Sequence, residues 1–268
     1  MFSVKNLTDN SNVKVVDALG AFTVIEYDKD MSVAPFRAQE AYFSSMMNIH
    51  KRQIICDLSK SPVTIQEGSM QMMIGNAQAT TGIKGAGDLI GKALRGKMTK
   101  ESAIKPEYVG NGIVILEPTY KYIILIDVDD WNQSVVLDNG SFLACESDLK
   151  QKLVTRTNLS STVAGDTSFF NLGLMGGGVV ALESPCPPQE LIEISLKDDQ
   201  VKIDGNMAVA WSGSLDFTVE RSGKTLVGSA VSGEGLVNVY RGTGKILVAP
   251  VKFQPGKHIS MPGPADQQ

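Results

Sequence analysis

Residues 110–118 read Gly110-Asn111-Gly112-Ile113-Val114-Ile115-Leu116-Glu117-Pro118. The pattern returns as Gly176-Gly177-Gly178-Val179-Val180-Ala181-Leu182-Glu183-Ser184, and again as Gly242-Thr243-Gly244-Lys245-Ile246-Leu247-Val248-Ala249-Pro250. From 110 to 176 and from 176 to 242 the interval is 66 residues each time. Paired glycines leading into an apolar run at a constant interval signal one structural unit used more than once. The register holds outward without a gap: Val135, Leu137, Asp138, Leu143, Ala144 and Leu149 correspond to Val201, Ile203, Asp204, Val209, Ala210 and Leu215. An earlier copy lies 72 residues upstream, where Val63, Ile65, Gly68 and Met70 match Val135, Leu137, Gly140 and Phe142. The difference between 72 and 66 marks an insertion between Thr81 and Lys100.

Each unit reads as short strands separated by turns. In the second unit they fall at about 112–117, 121–127, 134–138, 141–145, 149–156 and 167–174. In the third they fall at about 178–183, 190–196, 200–204, 207–212, 215–221 and 235–241. These segments are rich in Val, Ile, Leu, Phe and Tyr, with partial alternation, and short strands at this spacing point to a sandwich or barrel. Asp138-Asn139-Gly140 and Asp204-Gly205-Asn206 favour positive φ and therefore tight hairpins. The expected fold is all-β: three units, about 51–109, 110–175 and 176–241, around a pseudo-threefold axis. The strand at 242–251 opens a fourth copy that is never completed and is expected to close the first unit, removing a sheet edge. The domain is taken to span 51–260.

Residues 1–50 precede the repeats and are expected to form an appendage packed on them. Val13 to Val16 and Phe22 to Tyr27 flank Leu19-Gly20 as a hairpin would. Phe36 to Met47 reads as a helix, while Tyr42 to Ile49 reads equally as a strand. In the insertion, Asp88 is placed as an N-cap and Leu89, Ile90, Ala93 and Leu94 share a helical face. Lys92, Arg95, Lys97 and Lys100 give the insertion positive charge. They are the candidate binding residues, for a membrane surface or a protein partner. The plainer reading is a surface helix over one end of the β body.

The composition narrows the function classes. With 43% hydrophobic and 20% charged residues, the chain can bury a core and is not a disordered one. A formal net charge of -4 gives no global attraction to nucleic acid or anionic lipid. No signal peptide is read at the N-terminus, and no apolar run is long enough to cross a bilayer. Cys56, Cys145 and Cys186 are odd in number and widely spaced, as expected of reduced, buried thiols in a cytoplasmic protein. Two histidines, His50 and His258, cannot supply a His-rich metal centre, so no metal or other cofactor is expected. No Gly-x-Ser-x-Gly elbow picks out a nucleophile, and Trp211-Ser212-Gly213-Ser214 reads as a strand end or turn. Gly85 to Ala93 breaks the phosphate-loop pattern at Ala86 and Ala93. The three Gly-x-Gly sites, Lys245 included, are read as fold-determining turns. Asp138 and Asp204 match across repeats but are assigned to turns rather than to acid–base work. Trp131, beside Asp129 and Asp130, is read as exposed, either a ligand contact or a loop anchor.

The repeat residues resemble the AIM24 family, also called DUF124. The carriers are Gly68-Ser69-Met70 and the basic insertion ending Gly96-Lys97-Met98-Thr99-Lys100-Glu101-Ser102, where Lys100 replaces the family's Gly. Val135 to Cys145, Val201 to Trp211, Gly233-Glu234-Gly235-Leu236 and Arg241 to Val248 complete the likeness over about 51–250. The resemblance implies a double-stranded β-helix fold of the kind grouped with the tryptophan-sensing, RNA-binding attenuation protein (TRAP-like). It also implies a link, in the mitochondrial relative, to inner-membrane organisation. It brings no catalytic residues. The expected function is therefore a non-enzymatic binding or scaffold protein, self-associating or contacting a membrane or protein partner. The alternatives are a small-ligand or RNA sensor by fold analogy, and an enzyme with an unrecognised site.

Overall fold

The computed structural model describes residues 2–80, 105–155, 157–158, 170–221 and 236–251. The chain opens with a hairpin of β1 (Val13–Leu19) and β2 (Phe22–Tyr27) that turns at Gly20, φ 55°. A long excursion then carries α1 (Ala38–Met46), so the helical reading of this stretch is the one formed. The chain returns as β3 (Arg52–Asp57), followed by β4 (Val63–Ile65), β5 (Met70–Thr80), β6 (Glu107–Leu116) and β7 (Tyr122–Asp127). Next come β8 (Ser134–Leu137), β9 (Phe142–Glu146), β10 (Lys150–Thr155), β11 (Thr157–Asn158), β12 (Phe170–Met175) and β13 (Val179–Ser184). The last are β14 (Ile192–Asp204), β15 (Ala208–Ser212), β16 (Asp216–Arg221) and β17 (Leu236–Val248).

The strands form two sheets. The first runs β1-β2-β3-β6-β4-β9-β13-β7, with β5 added on β6. Its end strands β1 and β7 come into contact, so the sheet is a nearly closed barrel. The second runs β10-β12-β8-β15-β17-β16-β11, with β14 added on β17. Every ladder between these strands is antiparallel except that of β11 with β16.

Alternation of side chains decides where the cores lie. Phe22 and Val24 of β2, Ile54 of β3, Val63 of β4 and Leu116 of β6 fill the inside of the first sheet. Ile124 and Leu182 of the first sheet meet Leu137, Leu174 and Val209 of the second in a core between the sheets. Trp211, Phe217 and Tyr240 pack with ring centroids 4.9–5.3 Å apart in a third cluster within the second sheet. Trp131, expected to be exposed, is buried in the core between the sheets.

Several sequence expectations change form. The segments at 190–196 and 200–204 join into β14, and those at 235–241 and 242–251 join into β17. The Gly-x-Gly at 110–112 and 242–244 is therefore not a turn but a point inside a continuous strand. Only at 176–178 does the chain break, between β12 and β13. Gly110, Gly176 and Gly242 have φ of 119°, 113° and 119°, a conformation that lets a strand change direction and that L side chains resist. The turns at Asp138 and Asp204 do not make hairpins. β8 pairs with β12 and β15 while β9 pairs with β4 and β13, so the first turn hands the chain from one sheet to the other. β17 does not close the first unit: it pairs with β14, β15 and β16. Instead β3 pairs with β6, and β2 pairs with β3, so this ladder crosses the boundary expected at residue 50. Shifted by 66 residues, β9 becomes Ala208–Ser212 and β10 becomes Asp216–Arg221, which are the bounds of β15 and β16.

The β5–β6 ladder requires glycine. A Cβ on Gly110 would stand 2.3 Å from the Asn76 carbonyl oxygen, and one on Gly112 would stand 2.2 Å from that of Ile74. Gly140 also has positive φ, 83°, but a Cβ there meets nothing within 4 Å. Replacing Gly110 by Ala is expected to cost about 2 kcal/mol or more, and Gly140→Ala about 1 kcal/mol. Urea unfolding of the two variants measures the difference, and equal losses would show that close backbone approach is not the constraint.

Candidate functional site

The excursion between β2 and β3 presents the most unusual surface of the described residues. It begins at Pro35 in a short 3-10 turn, Pro35–Arg37, and continues as α1. Arg37 pairs with Glu40 at 3.1 Å along the helix. Ala41, Ser44 and Ser45 are half-buried, whereas Tyr42, Phe43, Met46 and Met47 are exposed. Phe36 is 87% exposed, Met47 73% and Met46 68%. The helix thus directs small residues inward and large apolar ones outward, the reverse of an ordinary surface helix.

Polar contacts at both ends hold this arrangement. Lys14 pairs with Asp28 at 2.6 Å. Asp30 accepts hydrogen bonds from the Tyr120 hydroxyl and from Lys51 Nζ. Burial opposes ionisation of Asp30, but these donors outweigh it and hold its carboxyl below the usual range. Burial, together with the bond to Asp30, pushes the Tyr120 phenol up to about 12. At the far end, the buried Arg52 donates to the carbonyls of Asn48 and His50, pairs with Glu26 at 2.6 Å, and stacks 4.0 Å from the Tyr122 ring centroid. The Tyr122 hydroxyl also donates to Asn48 O, at 3.0 Å. A buried, fully bonded guanidinium of this kind is a fixed anchor.

A second feature is a small surface depression, partly open to solvent. Asp138, Asn139, Glu183 and Asn206 supply its polar lining, with Val209 and Ala249 beneath. Glu183 is paired with Lys121. The backbone carbonyl of Asp138 accepts from Ser141 N and Oγ. Asp204 does not line the depression, so the two matched aspartates are not brought together there.

The remaining candidates take structural roles. His50 Nδ1 lies 3.1 Å from the Tyr27 carbonyl oxygen, and His258 lies outside the described residues. Among the described residues, no group of three or more His, Cys, Asp or Glu side chains could hold a metal. Lys245, after the third Gly-x-Gly, sits in β17 with its Nζ 3.9 Å from Glu193. Ser212 is buried, and its Oγ accepts from Lys245 N. Lys92, Arg95, Lys97 and Lys100 lie outside the described residues. No helix among the described residues is long and apolar enough to cross a membrane.

Cys56, Cys145 and Cys186 are free and buried. Burial raises all three thiols, Cys145 to about 12. A thiol is nucleophilic only as thiolate, so none is poised for chemistry near neutral pH. A thiol-specific chromogenic reagent at pH 8 is expected to label none of the three in the native chain within minutes and all three in denaturant. Prompt native labelling of one would show an accessible, activated cysteine.

The chain matches the family described as Mitochondrial biogenesis AIM24 over residues 46–251. It is 25% identical over 199 residues to the uncharacterized protein M6_Spy0233 of Streptococcus pyogenes serotype M6, covering 72% of this chain and 78% of that protein. It also resembles the crystal structure of protein SPYM3_0169 from Streptococcus pyogenes, a structural genomics target. There the TM-score is 0.55 and the identity 25%, covering 76% of this chain and 89% of the other. With most of its length matched, the chain belongs to the AIM24 family.

Proposed function

We propose that this protein is a non-enzymatic binding or scaffold protein, a β platform that presents contact surfaces rather than a catalytic centre. The observation that carries this reading is α1, whose flanking residues Asn48 and Asp30 are bonded to the body while Phe36, Phe43, Met46 and Met47 are exposed. Exposed aromatic and Met side chains on a rigid support are the composition of recognition surfaces. The platform is read as three units in pseudo-threefold, TRAP-like order. In support, Gly110, Gly176 and Gly242 share φ within 113–119°, and β9 and β10 coincide with β15 and β16 at the repeat interval. The basic insertion, with Lys92, Arg95, Lys97 and Lys100, is assigned a second contact role on its charge pattern. Free, buried thiols accord with a reducing, cytoplasmic setting.

The depression beside Asp138 favours a second reading, a small-ligand sensor. Its lining combines Pro185, Ala208, Val209 and Ala249 with the amides of Asn139 and Asn206, so it suits a small, largely apolar ligand and not RNA phosphate. Native mass spectrometry of the full chain separates the two. The platform reading expects masses of the chain, its multiples, or the chain with a macromolecular partner. A small molecule retained one per chain would overturn it in favour of the sensor.

A further inference from the structure

The structure points to α1 and its rim as the interface of a homodimer, in which the apolar stripe of one copy packs against the same stripe of a second. This rests on the platform reading and names its partner. The stripe is Phe36, Tyr42, Phe43, Met46 and Met47, each more than half exposed. Met31, Ile49 and Tyr120 extend it, each at least 46% exposed. Met31 follows Asp30, to which Tyr120 is bonded.

Three arguments favour a second copy over other occupants. The first is area. Large side chains bury about 150–250 Å² each, so these eight, about half open or more, offer roughly 800–1,000 Å². That exceeds the patch of about 300–600 Å² tolerated on a monomer and matches the ~800 Å² that each partner of a stable interface contributes. The second is charge. Arg37, Lys51, Arg52 and Lys14 are each matched by a carboxylate: Glu40, Asp30, Glu26 and Asp28. These neutralised pairs leave little to hold phosphate, whereas a like copy meets no like-charge repulsion. The third is presentation. Arg52, Tyr122 and Asp30 tie the segments flanking the helix to the body, and no residue of α1 is itself buried, so among the described residues its stripe stays uncovered. A twofold axis through such a stripe makes a self-complementary contact.

Sedimentation equilibrium of the full chain across the micromolar range tests this. Wild type is expected to be a dimer, and the double variant Phe43→Ser, Met47→Ser to dissociate about a hundredfold more readily with an unchanged melting temperature. Both positions are exposed, and circular dichroism verifies that the variant folds. As an independent measurement, Phe43→Cys is expected to form a disulfide-linked dimer under mild oxidation, since the native cysteines are buried. A monomeric wild type, a dimer that persists in the double variant, or a monomer that binds phosphatidylcholine vesicles through these residues would each overturn the proposal. A small molecule retained by an intact dimer would sink the platform reading alone. A monomer that carries a macromolecular partner would sink the dimer alone.

Discussion

Two long strands, β6 and β17, each pair with three others, and each changes direction at a glycine with φ of 119°. Much of the remaining structure depends on that capacity. A strand has two hydrogen-bonding edges, so serving three partners requires that its two halves face different neighbours. Without Gly110, the half of β6 that meets β4 could not depart from the half that meets β3. In β17, the partner strand β14 absorbs the same bend with a bulge, where Asp198 has φ 52° and its N–H donates to Thr243 Oγ1.

Side chains fasten what the ladders leave open. Glu146 accepts hydrogen bonds from Ala21 N and Val179 N, both at 2.9 Å, and so joins the first hairpin to the middle of the chain. Gly20 permits this, since a Cβ there would stand 2.5 Å from the Glu146 carboxylate. Arg241 ties β17 to both flanking strands through Glu220 and Gln200, and its bond holds the Glu220 carboxyl down at about 2. Asn171 stands apart: it is buried with both amide atoms unbonded, a cost of about 1–3 kcal/mol for which the structure shows no compensation.

These fastenings bear on function because they remove freedom from the groups that chemistry would need. The cysteines are buried, and the serine of β15 serves a backbone N–H. What stays available is surface, and its most apolar part is a helix whose large residues face away from the body.

The sequence by itself determined the all-β class and the place of most strands from β7 to β16, though not that the segments within β14 and β17 run on as single strands, because apolar alternation and glycine punctuation are local properties. It also determined the first hairpin and the buried thiols. Only the tertiary structure decided which strands pair. A turn such as Asp138-Asn139-Gly140 looks the same whether it folds a hairpin or passes the chain to another sheet, and β17 carries no local mark of its partners. The orientation of α1 was likewise beyond the sequence. Tyr42, Phe43, Met46 and Met47 form a stripe that would ordinarily read as core, yet no residue of α1 is buried, and the anchors Arg52, Tyr122 and Asp30 tie only its flanking segments to the body.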